Sequence, residues 1–168
     1  RLTHQKNFME LLRFFKEYSD QINNDFNLII LGEGEKRHEI LNYIKRNQIK
    51  NFYLLGYKEN PYKYLAKSDA YICTSLWEEP GHTIMEAGYL NVPILTSNCP
   101  NGPDEIIKNN FNGLKYKLGN LGDFLEKIKK INNFDPVTKY ELLKNMKKNI
   151  VNYTKFRFSK NIEKIISL

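Results

Sequence analysis

Short apolar runs that each stop at a turn and hand over to a helix-forming segment are what most constrain this chain. Residues 27–31, Asn-Leu-Ile-Ile-Leu, end at Gly32-Glu33-Gly34 and lead into a charged helical stretch over residues 36–47. The unit recurs: residues 51–55 end at Gly56 before a short helix at 62–67, residues 70–74 precede a helix at 83–90, and residues 92–96 form a further run. Such short β-branched runs read as strands buried on both faces, and their alternation with helices predicts a parallel α/β sheet with right-handed crossovers. Ahead of them Phe8, Leu11, Leu12 and Phe15 fall at i, i+3, i+4 and i+7, the apolar stripe of a first amphipathic helix.

After Pro103 the strand signal weakens to one candidate at residues 113–116, and helices are expected at 121–131, 136–153 and 160–166. The fold class is therefore α/β, a doubly wound parallel sheet with extra C-terminal helices. No linker rich in Pro, Gly or Ser divides the chain, so residues 1–168 read as a single domain.

Composition excludes several classes. With 41% apolar and 27% charged residues the chain has enough apolar material for a core. It opens with Arg1 and carries neither a signal-peptide pattern nor an apolar run of about 18 residues, so a piece of a longer, non-secreted protein is expected. Cys73 and Cys99 stand singly, without metal spacing, which predicts reduced cytosolic thiols. The 26 Lys and Arg against 19 Asp and Glu give +7, but the basic residues are spread among Asn and Ile and lack interleaved aromatic platforms. This argues against nucleic acid as the main partner and leaves an anionic membrane surface open.

In open α/β sheets ligands bind beyond the carboxyl ends of the strands. The loops at that edge are Gly32 to Gly34, Gly56-Tyr57, Glu78 to Thr83 and residues 98–104. The third carries most. Glu78 and Glu86 bracket Pro80-Gly81-His82-Thr83 at a turn into a helix, where free backbone N–H groups and the positive end of the helix dipole suit an anion and carboxylates suit sugar hydroxyls. Glu86 has a structural rival role, because Thr83-x-x-Glu86 is also a capping-box spacing. Glu78 has no evident structural task, and His82 no visible partner. No His/Cys/Asp cluster has metal-ligand spacing, and no acyl-transfer triad is visible.

The segment Ser75-Leu76-Trp77-Glu78-Glu79-Pro80-Gly81-His82-Thr83-Ile84-Met85-Glu86-Ala87-Gly88, followed by Asn91-Val92-Pro93-Ile94, resembles the Glu-x7-Glu region of retaining glycosyltransferases of the GT-B fold, family 4 (glycosyl transferases group 1). Supporting matches are Arg1-Leu2, Gln5-Lys6-Asn7, Gly32-Glu33-Gly34 with Arg37, Leu55-Gly56-Tyr57, Ser68-Asp69-Ala70, Gly102 to Ile107 and Asn112-Gly113-Leu114, in matching order and spacing.

The resemblance implies the Rossmann-like, C-terminal donor-binding half of the fold, with the N-terminal acceptor domain absent from this chain. It implies a UDP- or GDP-sugar donor and no metal or other cofactor. Arg1, Lys6 and the amides of His82, Thr83 and Ile84 would hold the diphosphate, Glu86 the ribose hydroxyls, and Glu78 the reacting sugar as the catalytic carboxylate. Gly81 and His82, with Pro80, would bond sugar hydroxyls, while Gly32, Gly34 and Tyr57 would border the nucleotide. The family usually has Gly and then an aromatic after the first glutamate; Glu79 and Pro80 stand here instead, implying a differently shaped sugar-side loop. A glycan or lipid-linked acceptor and a cytoplasmic site, open to the inner face of the cell membrane, follow from the same resemblance. The Lys, Asn and Ile bias suggests an AT-rich bacterial genome and a place in polysaccharide or lipopolysaccharide assembly. Rival readings are an epimerase or phosphorylase on the same fold, or a basic module for nucleic acid or membrane surfaces.

Overall fold

The computed structural model describes residues 1–21 and 26–153. A 3-10 turn at His4–Lys6 leads into α1 (Phe8–Gln21), β1 (Leu28–Ile30), α2 (Arg37–Arg46), β2 (Phe52–Leu54), α3 (Tyr62–Leu65), β3 (Tyr71–Cys73), α4 (His82–Tyr89) and β4 (Ile94–Ser97). There follow α5 (Gly102–Ile106), β5 (Leu114–Tyr116), α6 (Leu121–Asn132), α7 (Pro136–Ile150) and a closing 3-10 turn at Val151–Tyr153. The α/β alternation expected from the sequence is present. The expected helix over 160–166 lies outside the described residues.

The strands pair in parallel as two ladders, β1 with β2 and β3-β4-β5 with β4 central. Adjacent residues of β4 point to opposite cores: Ile94 packs with Cys73, Ile84, Ala87, Ile106 and Met146, and Leu95 with Phe14, Leu114, Tyr116 and Phe124. The three-stranded ladder is thus covered on one side by α4, α5 and α7 and on the other by α1 and α6. Burying both faces is why all four residues of β4 are buried and its sequence, Ile-Leu-Thr-Ser, shows no apolar/polar alternation.

The two-stranded ladder is covered less completely. Leu28 and Ile30 of β1 pack against Leu11, Leu12 and Phe15 of α1 and Ile40 of α2, while Ile29 and Tyr53 on the opposite face are exposed. The helix following β2 has only four residues, and its Leu65 packs against the core on the β3 side. Leu12, fully buried, is the kind of side chain whose truncation to Ala costs about 3 kcal/mol.

Two local readings are corrected. Residues 98–104, expected as loop, include the start of α5; a Gly-Pro opening hides a five-residue helix, although Pro is well suited to its first turn. The capping box at Thr83 and Glu86 does not form. Gly81, at φ 80, is the N-cap of α4, so Thr83 is already inside the helix and its hydroxyl accepts from Tyr71 instead, at 2.7 Å.

Candidate donor site at the carboxyl edge of the sheet

Residues 1–7 run across the loops that leave β1 and β3. Leu2 is buried and exchanges backbone bonds with the first loop, its N–H donating to Glu33 O at 2.9 Å and its carbonyl accepting from Lys36 N at 3.0 Å. Gly34 is required here, since a Cβ at that position would stand 2.7 Å from Leu2 N. Farther along, Leu76 N donates to Gln5 O at 2.8 Å, Gln5 Nε2 to Trp77 O at 2.8 Å, and Thr74 Oγ1 to Lys6 O at 3.0 Å. These bonds deliver the Lys6 side chain to the end of β3.

There Lys6 Nζ and Glu78 Oε1 form an ion pair at 2.5 Å. Glu78 is 4% exposed, and its Oε1 also accepts from Ser75 Oγ at 2.5 Å, with Cys73 Sγ 3.7 Å away. The expectation that Glu78 has no structural task is therefore wrong: it neutralises a half-buried ammonium. A buried carboxylate is tolerated only with such partners, because the desolvation cost of an unpaired ion is several kcal/mol. Burial raises the Cys73 thiol above its ordinary range, the Ser75 hydroxyl partly opposing that shift. Cys73 and Cys99 are both buried and free.

The loop carrying Glu78 is braced from β4. Ser97 Oγ donates to Ser75 O at 2.6 Å, Gly102 N to Glu78 O at 3.3 Å, and Asn101 Nδ2 to Glu79 Oε1 at 3.3 Å. The Glu79-Pro80 peptide is cis. Helix α4 then begins. The amides of Ile84 and Met85 both donate to Gly81 O, so the free donors at this helix start are those of His82 and Thr83, and the Ile84 amide is already used. The Ile84 side chain is fully buried in the core. Glu86, one turn farther in, is half-buried and receives a 3.4 Å contact from Tyr62 Oη.

At the first two loops, Gly32 N donates to Gly56 O at 2.8 Å, which joins the loops after β1 and β2 and brings Tyr57 alongside the first turn. Tyr57 is 74% exposed. The Arg1 backbone stands over Gly32, where an added Cβ would meet Arg1 N at 3.6 Å. Three contributors escaped the sequence reading as individual residues. Ser75 was legible only as the third residue before Glu78, and nothing local connects Tyr62 to Glu86 or Tyr71 to Thr83. Among the described residues no group of three His, Cys, Asp or Glu is placed to hold a metal ion.

These features define a parallel α/β domain with a cation, two carboxylates and a free helix start converging at the carboxyl edge of its strands. The chain belongs to the family of glycosyl transferases group 1, which it matches over residues 1–155. It is similar to an uncharacterised glycosyltransferase of Methanocaldococcus jannaschii, at 42% identity over 108 residues, 64% of this chain and 26% of that protein. It is 31% identical over 173 residues to the UDP-Gal:alpha-D-GlcNAc-diphosphoundecaprenol alpha-1,3-galactosyltransferase of Escherichia coli, covering 100% of this chain and 43% of that one.

Among solved structures, that of Staphylococcus aureus TarM superposes with a TM-score of 0.87 at 25% identity, over 99% of this chain and 33% of TarM. Anabaena HepE in complex with UDP and glucose shares the fold at a TM-score of 0.83 and 18% identity, over 99% of this chain and 46% of HepE. The fold is that of GT-B glycosyltransferases. The chain spans less than half the length of each of these proteins.

Proposed function

We propose that this domain binds the nucleotide-sugar donor of a retaining, metal-independent glycosyltransferase. The acceptor would be a glycan or a lipid-linked glycan held by another domain, so the domain alone would bind donor and transfer poorly. One observation carries the reading: Lys6 and Glu78, 72 residues apart in sequence, are paired on the loop that leads into α4, whose His82 and Thr83 amides have no acceptor among the described residues. A cation next to helix-start N–H groups is where a diphosphate leaving group is best stabilised, and a carboxylate beside it meets the positive charge that develops on the sugar.

In this reading Arg1, Lys6 and the amides of His82 and Thr83 hold the diphosphate, and Glu86 takes the ribose hydroxyls. Glu78, Gly81 and His82 face the sugar, and Tyr57 with Gly32 and Gly34 borders the base. Phosphate charge is met by protein groups alone, so EDTA should leave donor binding unchanged. The names of two relatives, a galactosyltransferase using UDP-Gal and a structure holding UDP and glucose, support a UDP-sugar over a GDP-sugar. Calorimetric titration with UDP- and GDP-sugars tests the proposal: at least one should bind, and a folded sample that binds none overturns it.

A cytoplasmic setting with peripheral membrane association is part of the same proposal, as two relatives are named for diphospho-undecaprenol substrates. Among the described residues no helix is long and apolar enough to cross a membrane. The surface best suited to lie on an anionic bilayer is the outer face of α7, where Val137 and Tyr140 are exposed and Lys147 and Lys144 sit over the rings of Tyr89 and Tyr140. Salt-sensitive cosedimentation with phosphatidylglycerol vesicles, lost on Lys144→Glu/Lys147→Glu, is the expected outcome. Cosedimentation that is absent, or unchanged in that variant, removes this part.

A further inference from the structure

The donors around Glu78 all converge on one of its two oxygens. Lys6 Nζ and Ser75 Oγ both donate to Oε1, Cys73 Sγ lies 3.7 Å from the same oxygen, and no described residue donates to Oε2. Nor is Oε2 sealed in. Thr3 Oγ1 and Tyr18 Oη are the polar side-chain atoms, among the described residues, that are both buried and without a partner, so Oε2 is not completely buried, although Glu78 as a whole is 4% exposed.

The hydroxyl that fixes this arrangement has its own direction fixed. Ser75 is 1% exposed, its Oγ accepts from the Cys73 thiol at 3.4 Å, and its carbonyl accepts from Ser97 Oγ at 2.6 Å. A serine has one proton to give. With the thiol donating to Oγ from behind, that proton goes to Glu78. The bond is charge-assisted and lies on a backbone tied to β4, which holds the carboxylate more firmly than a flexible lysine acting alone. Burial keeps the Cys73 thiol protonated, as its donor role needs.

We infer that Ser75 is a positioning residue for sugar recognition, holding Glu78 with Oε1 turned inward and Oε2 as the one acceptor offered to a hydroxyl of the donor sugar. The inference rests on the nucleotide-sugar reading above and adds to it. Glu78 accepts through a single oxygen, so it reads one hydroxyl rather than bridging two. Without Ser75 the carboxylate is held by Lys6 alone, and Lys6 is also needed by the diphosphate. Loss of Ser75 therefore falls on the sugar and spares the nucleotide.

The test is calorimetry of the full chain with UDP and with UDP-glucose, UDP-galactose, UDP-N-acetylglucosamine and GDP-mannose, for the wild type, Ser75→Ala, Ser75→Thr and Ser75→Cys. Ser75→Ala should bind UDP within about twofold of wild type and lose about tenfold in affinity for the sugar nucleotide that wild type binds best, the loss expected for one hydrogen bond to a charged group. Ser75→Thr, which keeps the hydroxyl, should recover most of that loss. Should Ser75→Ala fold poorly, Ser75→Cys, a weaker donor, should show an intermediate loss confined to the sugar nucleotide. Equal losses for UDP and the sugar nucleotide, or none, overturn the inference while the donor reading stands. A folded wild type that binds neither UDP nor any sugar nucleotide removes both.

Discussion

Glu78 is 4% exposed and shares Oε1 with an ammonium and a hydroxyl, whereas the carboxylate of Glu86, on the first turns of α4, is half-buried and among the described residues meets the Tyr62 hydroxyl alone, at 3.4 Å. The two carboxylates flank one loop and one helix start, yet the fold treats them differently. The first is oriented before any ligand arrives, by groups from residues 6 and 75 and by a loop tied to β4. The second is left with acceptor capacity, which in the proposed function the ribose would complete. A carboxylate that must meet a changing charge gains from fixed geometry, while one that recognises a ribose needs only to be within reach.

The sharpest way to break this contrast is to remove the cation. Lys6→Met should cost about 3 kcal/mol in urea unfolding, because it strands a buried carboxylate, and Lys6→Met/Glu78→Leu should regain most of that loss. A Lys6→Met variant within about 0.5 kcal/mol of wild type would mean that Glu78 is not held by the pair. Next in size, Glu86→Gln should weaken binding of the preferred sugar nucleotide about tenfold by calorimetry, some 1.4 kcal/mol, with unfolding within about 0.5 kcal/mol of wild type. Comparable damage to stability would erase the distinction between the two glutamates.

A smaller effect is confined to alkaline pH. Burial raises the phenols of Tyr71, which bonds Thr83 at the start of α4, and of Tyr116, which bonds Glu10. Both are neutral in the folded state, while in the unfolded chain they ionise near the ordinary value of about 10. Their contribution is thus complete below about pH 10 and lost as pH rises through the elevated folded values. Thermal unfolding between about pH 8 and 11.5 should show stability falling from about 8.5, where the buried Cys73 and Cys99 thiols begin to ionise in the unfolded chain, and more steeply above about 10, and Tyr71→Phe should soften the steeper part. Smallest is Tyr62→Phe, which loses a long contact and should change sugar-nucleotide affinity less than about threefold by calorimetry. A larger loss would mean that Glu86 is held as deliberately as Glu78.

Much of the scaffold was legible because its signals are local. Each of the five expected strands is present, shortened to three or four residues, since apolar runs bounded by Gly or Asn report burial and turns directly. Helix α5 was missed because five residues give no period to read, and the capping box was misread because Gly81, not Thr83, ends the preceding turn. The incomplete cover over Ile29 and Tyr53 was likewise hidden, since a short run looks the same whether one face or two are buried.

By itself the sequence determined the order of strands and helices, the loops at the carboxyl edge, and two acids flanking a helix start eight positions apart, all matters of neighbouring residues. Only the tertiary structure decided how each acid is held. Lys6 reaches Glu78 because Leu2, Gln5 and Lys6 are tied by backbone bonds to loops some 30 to 70 residues away, and Ser75 faces Glu78 because Ser97 anchors its carbonyl from β4. Those contacts depend on how the layers pack, which no local periodicity encodes, and they fix the orientation of one glutamate while leaving the other half-exposed.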